Sequence, residues 1–242
     1  MKRVGAREYF RRGLTLVLLT SGLAGIPYWD GLIIGILMGA ALLFYLLFPR
    51  CSPPPKALTY ERIPAVYGPD FIGFFMTSVF IALPFWARAG NDSYLYEGFL
   101  LVHPAAVLTW PLALLSVYIL VVAARYASYW ILIEENGLTI CSTKQERFLS
   151  FEEIKEVIPY RKGLPKWLKY LTPLMVLTGK YTAAGAVLLA RDTTGMSIKL
   201  QDGTSVNIPS EAFEKPFKKI LKVLHEHAVP IDPKFSRSYT KK

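Results

Sequence analysis

The chain has 242 residues, 52% of them hydrophobic and 14% aromatic, and 28 lysines and arginines against 18 aspartates and glutamates give it a formal net charge of +10. That apolar share, with a mean hydropathy of +0.32, exceeds what an ordinary soluble chain of this length carries and points to a membrane protein. The charge does not make it a nucleic-acid binder: no glycine-rich, RRM or helix-turn-helix motif accompanies it, and membrane topology and closeness to anionic lipid account for many of the cations.

The apolar residues gather in the first half, and most charges follow Arg125. A helix that crosses a bilayer needs about 20 apolar residues. Four segments meet or approach that length, predicting a four-helix membrane domain over 14–125 with spans near 10–28, 31–48, 70–88 and 103–125, preceded by a basic cytoplasmic N-terminus, 1–13. The first, LTLVLLTSGLAGIP, is short. It reaches span length by extending back over Tyr9, Phe10 and Gly13, and the turn Tyr28–Asp30 then joins it to the second as a helical hairpin.

Basic residues near span ends stay in the cytoplasm. Lys2, Arg3, Arg7, Arg11 and Arg12 precede the first span, Arg50, Lys56 and Arg62 lie between the second and third, and Arg125 and the remaining cations follow the fourth. The opposite loops hold none in Tyr28–Asp30 and Arg88 alone in the other. This predicts a multi-pass protein of the inner (plasma) membrane with both termini cytoplasmic. The N-terminus shares the basic-then-apolar plan of a signal peptide, but no Ala-x-Ala-like site is clear and a second span follows at once. Cys51 lacks the preceding small residues of a lipoprotein signal. Cys51 and Cys141 both fall on the cytoplasmic side, so no structural disulfide is expected.

Gly31, Gly35 and Gly39 recur every fourth residue in the second span and form one face that lets a neighbouring helix approach closely. The neighbour is either the first span, with its own Ser21, Gly22 and Gly25, or another copy or partner protein. Pro84 and Pro111 are expected to kink the third and fourth spans. No ionisable residue falls in the middle of a span, which argues against a small transporter and for an anchor or packing surface. His103 stands beside the outer loop as an interfacial residue rather than a metal or haem ligand. The proline-rich connector Pro49–Asp70 is expected as a semi-rigid cytoplasmic loop.

After the fourth span the period changes from helical to two. YWILIEENGLTI reads as a hairpin, Tyr129–Glu134 with Leu138–Ser142 around an Asn-Gly turn, with one face in a core. Glu146–Leu149 continues it, and FEEIKEVIPY supplies a further strand, or a short helix and then a strand. MSIKLQDGTSVNIP is a second hairpin with Asp202-Gly203 at its turn. A closing helix has Ser210 as N-cap and Phe213, Phe217, Ile220, Leu221 and Leu224 as its apolar stripe.

This order, together with WILIEENGLTI, ERFLSFEEIKEV, the Asp-Gly hairpin and the final helix, resembles the bacterial pleckstrin-homology-like (PH-like) domains attached to membrane spans. The resemblance covers about 129–229 and implies a small β-barrel or sandwich with a C-terminal helix, no shared catalytic residues, and a role in binding or assembly. The expected architecture is therefore an integral membrane α-helical bundle of four transmembrane helices followed by a cytoplasmic PH-like domain at 126–230, then a basic tail, 231–242.

The departure from that pattern is an insert, 161–191. Arg161, Lys162, Lys166 and Lys169 offer charge, and Trp167 with nearby leucines an apolar face, suited to the headgroup layer of an anionic leaflet. A helix packed on the domain's own barrel and a docking surface for another protein are the alternatives.

Nothing points to catalysis. His225 and His227 are two apart on a helix and point about 200° apart, unlike a zinc-binding i, i+4 pair. They suit the negative end of the helix instead. Cys141 has no neighbouring histidine, and neither a nucleophile elbow nor a phosphate-binding glycine loop occurs. No metal or cofactor is expected. The expected function is that of a non-catalytic, membrane-anchored binding or scaffold protein whose partners are anionic lipid headgroups, a membrane protein or a second copy of itself. An accessory subunit of a larger membrane complex is the alternative.

Overall fold

A computed structural model of the chain describes residues 5–90, 102–143, 145–162, 193–209 and 213–235. The chain divides into two compact units, Met1–Leu132 with Ile140–Arg147, and Ile133–Thr139 with Phe148–Lys242.

Helices α1 (Ala6–Ala24), α2 (Gly31–Leu47), α3 (Gly68–Ala89) and α4 (Ala106–Ser128) build the first unit. α3 packs along α4, and α1 packs on both α2 and α3. Small residues make these approaches close. A Cβ added to Gly73 of α3 would lie 2.7 Å from Leu120 Cδ2 of α4, and Ala82, Ala113, Ala123 and Ala124 are fully or almost fully buried. Close backbones multiply dispersion contacts, which is how apolar helices associate where burial from water contributes little. Pro69 opens α3 in its first turn, where its missing N–H has no intrahelical partner to lose. Pro84 and Pro111 lie inside helices that run on past them.

Two helical stretches, Ile63–Ala89 and Ala106–Ser128, are long and apolar enough to cross a membrane, and only 33% and 22% of their most apolar windows is buried. α2 is apolar but 17 residues long. α1 carries Arg7, Glu8, Arg11 and Arg12 in its first two turns. Two of the four expected spans thus meet the length and apolarity criterion by themselves. Helix α1 starts at Ala6, so most of the stretch expected as a basic cytoplasmic N-terminus is helical.

The connector is more than a loop. Strand β1 (Leu58–Thr59) pairs antiparallel with β2 (Trp130–Ile133), Leu58 opposite Ile131 and Thr59 opposite Trp130. A π-helical turn, Ile63–Tyr67, then leads into α3. Prolines 53–55 cannot donate to a ladder, but the residues after them can. Only Tyr129 separates the end of α4 from β2.

Strands β3 (Gly137–Cys141) and β4 (Glu146–Ser150) complete a sheet of order β1-β2-β3-β4. All five residues of β3 are buried, so this interior strand lacks the exposed face that alternation predicted. The Asn-Gly turn is also different. Glu134 N–H donates to the Gly137 carbonyl, which leaves Glu135 and Asn136 as the loop, and neither they nor Gly137 has a positive φ. Glycine at 137 answers a close approach instead: a Cβ there would lie 2.2 Å from the Leu149 carbonyl oxygen.

In the second unit a 3₁₀ turn, Phe151–Glu153, opens with the Ser150 hydroxyl accepting from Glu152 N–H. Strands β5 (Ile154–Lys162), β6 (Thr193–Leu200) and β7 (Ser205–Pro209) form an antiparallel sheet. The outer edge of β5 is covered in part: Val157 N–H donates to the Pro230 carbonyl and Asp232 N–H to the Val157 carbonyl. Met196, Ile198 and Leu200 alternate along β6 and are buried with Val157 and Ile208. Helix α5 (Glu214–Glu226) contributes Ile220, Leu221 and Leu224, each at most 2% exposed. Its N-cap position is Phe213 with no side-chain cap, not Ser210, which lies outside the described residues. Phe217 is half-buried and faces Phe235, ring centroids 6.0 Å apart.

The β6–β7 turn is as expected, with Gly203 at φ 81° and the Asp202 carboxylate accepting from Thr204 N–H. An L-residue in that left-handed conformation costs about 1–2 kcal/mol. Gly203→Ala should therefore lower stability by about that amount in denaturant unfolding of the full chain, and no loss would mean that the turn relaxes freely.

Candidate functional site

The helix starts of α1 and α3 carry charges that hydropathy alone does not anticipate. Glu8, Arg11 and Arg12 share one face of α1 because i, i+3 and i+4 side chains are neighbours on a helix. Arg12 donates from Nε and Nη2 to the two carboxylate oxygens of Asp70, both at 2.7 Å, and from Nη1 to Glu8 Oε2 at 2.5 Å. Arg11 Nη2 donates to the same Glu8 oxygen at 2.8 Å. The Tyr45 hydroxyl donates to Asp70 Oδ2 at 2.5 Å, and the Cys51 N–H to Glu8 Oε1 at 3.0 Å. Glu8, Arg11, Arg12 and Asp70 are each at most 2% exposed. Buried charges persist only when paired and hydrogen-bonded, and the fork of Arg12 on Asp70 is the bidentate geometry that does this best. Both carboxylates sit in the first turns of their helices, where the backbone N–H groups favour negative charge.

Arg11 is less well satisfied. Its guanidinium lies 4.6 Å from the centre of the Tyr45 ring, a cation–π distance. Its Nε and Nη1 are buried and have no hydrogen-bond partner among the described residues. Arg11 lines a cavity of about 20 Å³, together with Arg50, Arg62 and Tyr67 from the connector and π turn and Tyr126 and Trp130 from the end of α4 and β2. Arg50 is half-buried and donates from Nη1 to the Tyr67 hydroxyl at 2.8 Å, while Arg62 is exposed. Glu8 is the one carboxylate lining this cavity, against the guanidiniums of Arg11, Arg50 and Arg62, while Arg12 and Asp70 neutralise one another beside it, so the cavity lining is cationic.

A second cavity, about 590 Å³, is a groove between α1, α2 and α3 whose walls include Leu19, Leu23, Leu42, Phe74, Phe75 and Trp86. Tyr67 lines this groove as well as the cationic cavity. Thr15, 2% exposed, also faces it, and its hydroxyl has no partner among the described residues.

Of the residues singled out in the sequence for membrane contact and helix packing, the described ones lie outside this cluster. Arg161 and Lys162 are the last two residues of β5, paired with Thr194 and Thr193, so they belong to the sheet and not to the insert. Lys166, Trp167 and Lys169 lie outside the described residues. The chain leaves and rejoins the sheet at one paired position, Lys162 opposite Thr193. At Gly31, Gly35 and Gly39 an added Cβ would meet nothing within 4 Å among the described residues. The α1–α2 contact is instead made at Gly22, whose added Cβ would lie 3.2 Å from Met38 and 3.5 Å from Leu37.

The thiols of Cys51 and Cys141 are free. Burial pushes Cys141 up to about 11, and burial together with the nearby Glu8 carboxylate raises Cys51, so both are protonated at neutral pH. His225 stands in the last turn of α5, and the His227 ring stacks on Phe151 with centroids 4.1 Å apart. Among the described residues no three His, Cys, Asp or Glu side chains gather as a metal site would require.

Glu8, Asp70 and Tyr45 were not anticipated. The Glu8–Arg11–Arg12 spacing was a readable signal, whereas Asp70 is 58 positions from Arg12 and carried none. No protein-family model matches this chain, and no curated protein or solved structure is significantly similar to it.

Proposed function

We propose that the chain is a non-catalytic binding protein of a bacterial inner membrane, anchored by four helices with both termini in the cytoplasm, that engages anionic lipid headgroups at the inner face. The observation that carries this reading is the cationic cavity, where the guanidinium of buried Arg11 has two nitrogens, Nε and Nη1, without an acceptor among the described residues, beside Arg50 and Arg62. Fully buried donors are rarely left without an acceptor, and an oxyanion would satisfy these. Exposed apolar side chains along the helices support the bilayer setting, among them Leu32 and Leu47 of α2, Phe71 of α3, and Val107, Leu108 and Leu114 of α4, each at least 72% exposed. The PH-like reading of the cytoplasmic part draws support from antiparallel sheets of four and three strands and the amphipathic helix α5.

A second reading, an accessory subunit of a larger membrane complex, is favoured by the open face of Gly31, Gly35 and Gly39. Extraction of the tagged chain from its native membrane in a polymer disc, followed by mass spectrometry of what stays bound, separates the two. Near-stoichiometric anionic lipid without a recurring protein is expected. A recurring protein partner would replace the first reading by the second.

A further inference from the structure

We infer that the groove between α1, α2 and α3 and the cationic cavity beside it form one site for a single anionic phospholipid. This rests on the lipid-binding reading above and gives that reading a ligand and a position.

The two cavities have complementary chemistry. The groove holds about 590 Å³, within the range of about 300–1,000 Å³ typical of small-ligand sites, and is walled by leucines and aromatic rings. It suits an acyl chain. The cationic cavity holds about 20 Å³, room for one water-sized group, so it accepts a single phosphate oxygen and not a whole headgroup. That oxygen would sit against the Arg11 guanidinium, whose buried Nε and Nη1 have no acceptor among the described residues and would come within reach only by a small shift of the side chain, and the rest of the phosphate would stay at the mouth between half-buried Arg50 and exposed Arg62. Glu8 lines the same cavity, but one of its oxygens already accepts from Cys51 N–H and the other from Arg11 and Arg12.

Tyr67 and Tyr45 join the two parts. Tyr67 lines both cavities, and Tyr45 lies on the groove while its ring carries the Arg11 guanidinium. A free phosphate would use the cationic cavity and leave the groove empty. A zwitterionic lipid would fill the groove and bring a cationic group toward the arginines. An anionic phospholipid satisfies both.

The test is native mass spectrometry of the full chain in mild detergent with added phosphatidylglycerol or phosphatidylcholine of identical acyl chains. One phosphatidylglycerol per protein is expected, about tenfold preferred over phosphatidylcholine, the scale of one charge-assisted contact. Arg62→Gln, at an exposed position, and Arg11→Met should each reduce that preference, with Arg62→Gln guarding against a folding defect in the buried variant. Leu42→Trp, which fills the groove from a side chain 59% exposed, should weaken both lipids alike. Equal binding of the two lipids, a preference that survives both arginine variants, or inorganic phosphate alone stabilising the chain as well as phosphatidylglycerol would overturn the site. A preference untouched by all three variants would still leave the protein an anionic-lipid binder elsewhere on its surface. No preference in the unaltered chain would remove both this site and the lipid-binding function.

Discussion

Replacing Asp70 with alanine is expected to lower the stability of the helical unit by about 3–5 kcal/mol, the usual cost of removing one partner from a buried ion pair. Asp70 is 1% exposed, accepts both forks of Arg12 and takes the Tyr45 hydroxyl as well. Without it the Arg12 guanidinium stays buried with Glu8 as its one counter-charge among the described residues, and Glu8 is already shared with Arg11. The penalty comes mainly from the stranded charge. The double replacement Arg12→Met with Asp70→Leu removes both charges and should therefore recover most of the loss, because apolar groups of similar volume often substitute for a buried pair without cost. What it does not recover is the Tyr45 hydroxyl, whose lost acceptor is worth about 1–3 kcal/mol. Denaturant unfolding in a mild detergent, read by tryptophan fluorescence, measures all three states. A single-variant loss below about 1 kcal/mol would mean that the cluster is hydrated and behaves like a surface pair.

The second large effect belongs to the other unit. Leu224→Ala should cost about 2–5 kcal/mol, the range for truncating a fully buried leucine, with the upper part reached if the cavity does not collapse. Leu224 is fully buried, and its carbonyl accepts the Val229 N–H that ends the helix. The next residue after the C-cap, Ala228, sits at φ 55°, so the chain reverses there without glycine and is held by packing around Leu224 and Val229. Lys222→Ala on the opposite face is the control. Its contact with Glu226 is 3.8 Å long and the Lys222 side chain is 74% exposed, so the change should stay within about 0.5 kcal/mol. Equal losses in the two variants would show that the stripe on α5 does not hold the unit together.

The two variants probe information of different range. Leu224 was readable because a helix repeats its apolar positions every three or four residues. The same local periodicity marked the β2–β3 and β6–β7 hairpins, the Asp202-Gly203 turn and the apolar runs of α2, α3 and α4. Asp70 was not readable as a partner of Arg12. It stood at the edge of a polar connector, and Arg11 and Arg12 counted as topology signals, since charges near a span end are ordinarily solvated. Gly137 shows the same limit from another side: the sequence marks it only as part of an Asn-Gly turn, whereas the reason for glycine is the close approach of the Leu149 carbonyl from β4.

By itself the sequence determined where the four apolar helices, the two hairpins and the closing helix form and which of their faces are apolar, because these depend on neighbours within a few residues; of the four spans it predicted, two meet the length and apolarity criterion by themselves. Only the tertiary structure decided that β1 joins β2, that Gly22 makes the α1–α2 contact while the glycine face of α2 meets none of the described residues, and that four charges close on one another beside a cavity lined by Arg11, two of whose nitrogens have no acceptor among the described residues. Those outcomes depend on which distant surfaces fit together. Ridge shape, backbone separation and the pairing of buried charges select them across tens of residues, and no period along the chain encodes that selection.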